Sequence, residues 1–593
     1  MRKRGCLYML ETKIDKLVAL VRKYKSVTME RLAQELGMPA SSIELLATHL
    51  EKGGILVINY PVNVLQKAYL TFKTMPQEVA LDDVQKGREE KGRGEKGRLL
   101  ASYSFHADGV PATVEITDTQ KEKHYELALV ELSLPTRIYL DQIKDDLLRL
   151  VPAEQSDVSD VEKLAKIKTD FTKSIRGYFE KYNLGVETTS LLTGYMLHSM
   201  FGLGELDVLN MDNELEEIAI INSSQPIGVY HRKYGWLKTN IYMPGEEAIF
   251  NYASQVARRV GRQISVLAPI LDARLETGDR VNATLAPISS HGNTMTIRRF
   301  ARNPWTIVSF IADPVRTMSA EMAAMLWQAF HYEMNVIIAG GTGSGKTSAL
   351  NALAAFIPPN QRLVTIEDTR ELMLPSFQWN WVPLLTRNAN AEGLGEVTML
   401  DLMVTSLRMR PDRILLGEMR TQREAEVLFE AMHTGHSVYS TIHADTAMQM
   451  IRRLTAPPMN MPPTDIESVH LAVVQYRDRR KNLRRTLEIC EILPGAQDEA
   501  LSVNVIYRWR PRDDTFDKVG EPTKFLKELN LHTGMTKDEI LADQKNRAAI
   551  LKWMVKNKLN DINSVGKIMS MYYSQPDEIL EIAKSSLAAS KVI

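Results

Sequence analysis

The sequence predicts a multidomain α/β chain with a parallel sheet in its second half, and three observations predict it. From 305 to about 510, short apolar runs of strand length alternate with helical pieces, the pattern of βαβ units. One run, Asn335-Val-Ile-Ile-Ala, passes straight into Gly340-Gly-Thr-Gly-Ser-Gly345 and then a helix. Two more, Leu363-Val-Thr-Ile and Arg413-Ile-Leu-Leu, lead into carboxylates at the strand edge where ligands of open α/β sheets sit.

Composition bounds the rest. The 593 residues suggest about four domains as a soft prior, and 44% hydrophobic with 25% charged residues is ordinary for folded chains. Lys+Arg and Asp+Glu are both 73, so no overall charge draws the chain to nucleic acid or anionic lipid. No stretch reaches the roughly 18 consecutive apolar residues of a membrane helix, and Glu11 interrupts the basic start before a signal-peptide core develops. Cys6 and Cys490 alone build neither a disulfide framework nor a four-cysteine zinc site. A multidomain protein of the cytoplasm is the expectation.

Residues 1–77 read as three helices and then strands, in the order of a winged helix-turn-helix. Ile14, Leu17, Val18 and Val21 share one helical face. A short helix runs from about Thr28 to Leu36 and stops at Gly37. Ser41 and Glu44 have capping-box spacing at the start of a third helix ending at Gly53-Gly54. Residues 78–100 carry a five-residue Lys-Gly-Arg repeat, with six basic and six acidic groups and almost nothing to bury, the pattern of a tether. Residues 101–304 form a mixed α/β domain, 305–515 the α/β core, and 516–593 a helical tail whose helix begins with Thr536 and Glu539 in capping-box register.

The chemistry concentrates in the core. GxxxxGKT between a buried strand and a helix is a phosphate-binding loop: Gly340, Gly341, Thr342, Gly343, Ser344, Gly345, Lys346, Thr347 and Ser348 line it. Its glycines let backbone N–H groups close around phosphates, Lys346 reaches the β- and γ-phosphates, and the Thr347 hydroxyl takes a place on Mg²⁺. Glu418 suits a role on Mg²⁺, and Glu371 or Glu367 could orient and deprotonate an attacking water. His443, at the carboxyl end of an apolar strand, is placed to meet the γ-phosphate, whereas His436 at the other end braces the sheet. Asn557-Lys-Leu-Asn560 lacks the acid of a guanine-reading motif and lies in the tail, so the nucleotide expected is ATP.

Taken together, these segments resemble the type II/type IV secretion and pilus-assembly ATPase superfamily. GGTGSGKT resembles its Walker A, IEDTREL (366–372) its acidic box, RMRPDRILLGEMR (408–420) its Walker B segment and GHSVYSTIHA (435–444) its His box. Upstream, Glu216-Glu-Ile-Ala-Ile-Ile-Asn, Val229-Tyr-His-Arg-Lys-Tyr-Gly-Trp and Pro269-Ile-Leu-Asp-Ala-Arg274-Leu-Glu-Thr-Gly-Asp-Arg280 resemble the archaeal branch, which includes archaellum and archaeal pilus motors. Two cysteines cannot build the four-cysteine zinc module usual in bacterial extension ATPases, which also favours that branch. The resemblance covers roughly residues 101–593.

It implies a RecA-like P-loop core behind an α/β (PAS-like) N-terminal domain, using ATP and Mg²⁺. It further implies a homo-hexamer at the inner face of the membrane, without its own transmembrane segment, pushing on a polytopic platform protein to assemble pilin-like subunits into a pilus, an archaellum or a secretion pseudopilus. Glu371 would act on the attacking water, Glu418 would serve Mg²⁺, and Arg274, Arg280, Arg298 and Arg299 are candidates to complete the site from a neighbouring domain or subunit.

The alternative is a DNA-responsive NTPase or regulator using residues 1–77. That segment is net +6. Eight of its twelve basic residues precede residue 26, however, and the presumed recognition helix has Glu44, Glu51 and only Lys52, with no arginine for guanine edges. Protein docking or a structural cap fits this segment better. A second basic run, Arg477-Asp-Arg-Arg-Lys-Asn-Leu-Arg-Arg485, lies between two strand-like segments and reads as a hairpin tip, solvated or touching a neighbouring subunit or the platform.

Overall fold

Along Val110–Asp118 the side chains alternate between core and solvent, as a strand with one covered face must. In the computed structural model it belongs to a nine-stranded mixed sheet in the first of two compact units, residues 1–299 and 300–593. The structure describes residues 9–585 apart from 11, 61–66, 74–96, 108, 120, 130, 151–160, 181–184, 202–204, 276–277, 301–302, 390–392 and 496–500. Nearly all of the expected charged tether therefore lies outside the described residues.

In the first unit, helix Lys13–Tyr24 starts at a capping box made by Thr12 and Asp15, and it buries Ile14, Leu17, Val18 and Val21. Helix Met29–Leu36 ends at Gly37, whose φ of 60° is the left-handed cap that glycine accepts without strain. The capping box expected at Ser41 and Glu44 is absent. Helix Ala40–Lys52 begins earlier, after Pro39, whose ring holds φ at −59° and steers the chain straight into the first turn. Ser41 thus falls inside the helix and Ser42 is buried. At the helix end Gly54 takes the positive φ, 77°, while Gly53 is needed for space, since a Cβ there would collide with Ile138.

A three-stranded antiparallel sheet follows, in the order Ser26–Thr28, Tyr69–Phe72, Leu56–Asn59. This segment does not have a core to itself. Ile14, Leu46 and Leu50 share one hydrophobic cluster with Tyr139, Ile143, Ile175 and Leu192 of later helices. Buried His49, on the presumed recognition helix, reaches Asp146 at 3.3 Å. In a separate cluster, the nine-stranded sheet packs against helix Glu246–Arg259, which turns Ile249, Ala253, Val256 and Ala257 inward at helical spacing.

The second unit is built on strands β1 (Val336–Gly340), β2 (Leu363–Glu367), β3 (Trp381–Leu385), β4 (Arg413–Leu416), β5 (Ser437–Ile442), β6 (Leu471–Asp478), β7 (Leu483–Pro494), β8 (Leu501–Arg510) and β9 (Thr515–Lys518). Their order is β3-β2-β4-β5-β1-β6-β7-β8-β9. From β3 to β6 every pairing is parallel. The parallel pattern stops at β6, because the four residues 479–482 between β6 and β7 are too few for a crossover and can only join antiparallel neighbours.

Helices cover both faces, so β1, β2, β4 and β5 are buried at every position, polar members such as Thr365, Arg413 and Ser440 included. On one face Val336, Ile338, Leu363 and Val473 meet helices Ala320–His331 and Lys346–Ala354. On the other, Ile337, Ala339, Ile366 and Val474 meet helices Met399–Ser406, Gln422–His433 and Ala447–Thr455. The tail joins the first of these layers: helix Lys537–Lys556, capped by Thr536 and Glu539, buries Ile540, Ile550, Leu551 and Met554 in the same cluster.

Candidate functional site

Parallel strands bring their carboxyl ends to one edge, so Gly340, Glu367, Glu418, His443 and Arg477 converge there although they span 138 positions of sequence. After β1 the chain turns through Gly343 (φ 70°) and Gly345 (φ 92°), and Gly345 caps helix Lys346–Ala354. Side chains would block this turn. A Cβ on Gly340 would sit 2.5 Å from the carbonyl oxygen of Gln475, one on Gly341 3.0 Å from Asp445 Oδ1, and one on Gly343 2.6 Å from Arg477 Nη1. The buried Ser344 hydroxyl has no hydrogen-bond partner among the described residues. A bare, N–H-rich turn at a helix N-terminus with an unsatisfied hydroxyl fits a phosphate chain. Thr347, in the first helical turn, and Glu418 are the residues that could hold Mg²⁺ beside it.

Lys346 is mostly buried, and its ammonium donates to the Gly341 carbonyl at 3.1 Å and lies 3.3 Å from His443 Nδ1. Burial lowers its pKa, against the opposing pull of Glu418, Glu371 and Asp445. The other nitrogen of His443, Nε2, is 2.8 Å from Glu418 Oε1. An ammonium can only donate, so Nδ1 accepts and Nε2–H faces the carboxylate, which is the neutral imidazole. Burial, and after it the Lys346 charge, holds the imidazole below the usual histidine range. Glu418 Oε2 accepts from Arg420 Nε at 2.8 Å, and Arg420 also reaches Asp368, whose Oδ1 accepts from the Thr386 hydroxyl. Arg453 donates to the His443 carbonyl at 3.1 Å.

The two carboxylates of the acidic box have unlike surroundings. Glu367 is 2% exposed, and its Oε1 accepts the backbone N–H groups of Glu371 and Leu372 at 2.8 and 2.9 Å. Burial pushes its pKa up to about 7, against those two hydrogen bonds. Glu371 is only partly buried and acts electrostatically on Lys346. His436 lies at the opposite end of β5, its Nδ1 within 3.1 Å of the Thr434 hydroxyl, away from this edge.

The four motif arginines belong to the first unit. Arg280 forks onto Asp272 at 3.0 and 2.7 Å and holds that carboxyl below its ordinary range. Arg298 stands opposite Glu217 on the neighbouring strand, and Arg274 opposite Arg280. Arg299 donates to the backbone carbonyls of Asn210, Asp212 and Leu215. Sequence spacing gives no role to Arg420, Asp368 or Arg453, and the basic hairpin meets the phosphate loop of its own chain, where Arg484 Nε donates to the Gly343 carbonyl at 3.1 Å, a contact that the expected hairpin tip does not include. One signal was available: the basic run follows a parallel strand at the same carboxyl edge.

Comparison with known proteins matches residues 241–488 to the family model described as type II/IV secretion system protein. An uncharacterized protein of Methanocaldococcus jannaschii is 31% identical over 493 residues, covering 79% of this chain and 88% of that protein. The type IV secretion system protein PtlH of Bordetella pertussis is 33% identical over 253 residues, 39% of this chain and 74% of that protein. Among solved structures, the VirB11 ATPase from the Brucella suis type IV secretion system, in complex with sulphate, is 26% identical with a TM-score of 0.25, covering 47% of this chain and 93% of that one.

Proposed function

The chain belongs to the type II/IV secretion system protein family, and on that premise we propose that it is an ATP-hydrolysing motor. The observation that carries the reading is the Lys346–His443–Glu418 chain, with contacts of 3.3 and 2.8 Å, at the mouth of a cradle no side chain could share. In the proposed reaction water attacks the γ-phosphorus, the bond to the β–γ bridging oxygen breaks, and ADP and inorganic phosphate leave. Glu371 takes the proton of the attacking water. Glu367 is a positioning residue, because its carboxylate holds the backbone from which Glu371 projects. Lys346 carries positive charge to the phosphates, and His443 holds Lys346 and Glu418 in register. Thr347 and Glu418 would hold Mg²⁺, which neutralises phosphate charge when bound.

Arg274, Arg280, Arg298 and Arg299 are the proposed source of further charge from a neighbouring domain or subunit, with Arg280 giving up its fork onto Asp272 and Arg299 its backbone contacts to act there. The family further supports a homo-hexamer, peripheral to the cytoplasmic face of the membrane, acting through a polytopic platform protein on pilin-like subunits of a pilus, archaellum or pseudopilus. No helix among the described residues is long and apolar enough to cross a membrane. Residues 1–77 form, in this reading, a winged-helix cap for protein contacts; their shared core with residues 132–196 supports that over DNA binding.

The test is hydrolysis by purified protein. Lys346→Ala should abolish it, and wild-type turnover in that variant would sink the assignment. For the ring, light scattering with a non-hydrolysable ATP analogue should give a six-fold mass; a persistent monomer would count against it.

A further inference from the structure

Arg477 and Arg484 are cross-strand partners on the β6–β7 hairpin, and both lie against the phosphate loop. Arg484 donates to the Gly343 carbonyl, and its Cδ is 3.7 Å from where a Cβ on Gly345 would be. Arg477 Nη1 is 2.6 Å from the corresponding point on Gly343. Both guanidinium groups thus meet the loop at Gly343, one at its carbonyl and one at its Cα side, while the Arg484 methylene packs beside Gly345. Arg485, next in sequence, is committed elsewhere: it forks onto Asp514 and reaches the Val315 carbonyl. Asp478 Oδ1 accepts the N–H groups of Arg480 and Lys481 and so closes the hairpin turn.

We propose that Arg477 and Arg484 are phosphate-binding residues acting within their own chain, adding two guanidinium groups to the cradle beside Gly343 and selecting ligands with two or more phosphates. Like charges directly opposite on neighbouring strands repel, and a polyphosphate in the loop converts that repulsion into attraction to a common anion. Guanidinium forks suit phosphate oxygens better than a point charge does. The proposal rests on the nucleotide reading of the site and adds residues outside its four sequence boxes.

The experiment is titration of the full chain with fluorescent ADP and AMP at several salt concentrations. Arg477→Ala with Arg484→Ala should weaken ADP binding by roughly tenfold or more per arginine, reduce the preference for ADP over AMP, and flatten the salt dependence. The corresponding lysine pair should regain the salt dependence with only part of the affinity. Wild-type ADP affinity and salt slope in the alanine pair would overturn the proposal; should that pair not fold, the glutamine pair carries the test with the same two outcomes. If the wild type neither binds nor hydrolyses ATP, the nucleotide reading itself fails. If it does both, and only Lys346→Ala is impaired, this inference fails alone.

Discussion

The imidazole of His443 presents Nε2 to the Glu418 carboxylate at 2.8 Å. Its Nδ1 lies 3.3 Å from the Lys346 ammonium, so one ring sets the spacing between the two groups. Removing a residue that orients first-contact groups typically costs 10- to 100-fold. His443→Ala should therefore lower ATP turnover by about that factor, with a smaller loss of ADP affinity, since the backbone cradle is untouched. Steady-state kinetics with a nucleotide titration separate the two, and unchanged kcat would remove the bridge from the mechanism.

Glu367 makes stability depend on pH in an unusual direction. Its folded pKa, about 7, lies above the ordinary 4.5, so the folded state holds the proton more tightly than the unfolded one. Between those values stability falls as pH rises, by up to about 3 kcal/mol from this group. Glu367→Gln keeps an oxygen for the two N–H groups and has no proton to lose. Its melting temperature relative to wild type should rise from pH 4.5 to pH 7 and level off above; a constant difference would contradict the burial argument.

Gly566 lies inside helix Ile562–Ser574, where replacing glycine by alanine ordinarily stabilises by about 1 kcal/mol. Here a Cβ would come 2.5 Å from Pro375 Cβ and 2.6 Å from Phe377 Cδ1. Gly566→Ala should instead destabilise by about 1–3 kcal/mol, read as a lower urea midpoint. A higher midpoint would show that the helix can move away from residues 375–377.

Arg547 is 1% exposed, pairs with Asp543 at 2.8 Å, donates to His331 Nδ1 at 2.9 Å and stacks over Trp327 and Tyr572. Arg547→Ala should cost about 3–5 kcal/mol, and Arg547→Met distinctly less, because methionine refills the space. Urea unfolding monitored by tryptophan fluorescence checks both, and equal losses would mean that charge rather than packing dominates.

Much of the fold was legible because its causes are local. Helix faces such as Ile14, Leu17, Val18 and Val21, the glycine stop at Gly37 and the cap at Thr536 depend on neighbours within a turn or two. Ser41 and Glu44 misled for the same reason: the spacing was right, but Pro39 had already started the helix. The shared core of residues 14–70 and 132–196 was not legible, since helical periodicity says which face is apolar but not which partner covers it.

By itself the sequence determined the phosphate loop, the buried parallel strands around it and the acids and histidine at their ends, because glycine sterics and periodic burial act over a few residues. Only the tertiary structure decided what each polar group meets. It turned Glu367 into the core and left Glu371 nearer solvent, joined Lys346 to His443 across 97 positions, and laid Arg477 and Arg484 on the loop of their own chain. Desolvation and charge pairing are set by distance in space, which no local pattern records.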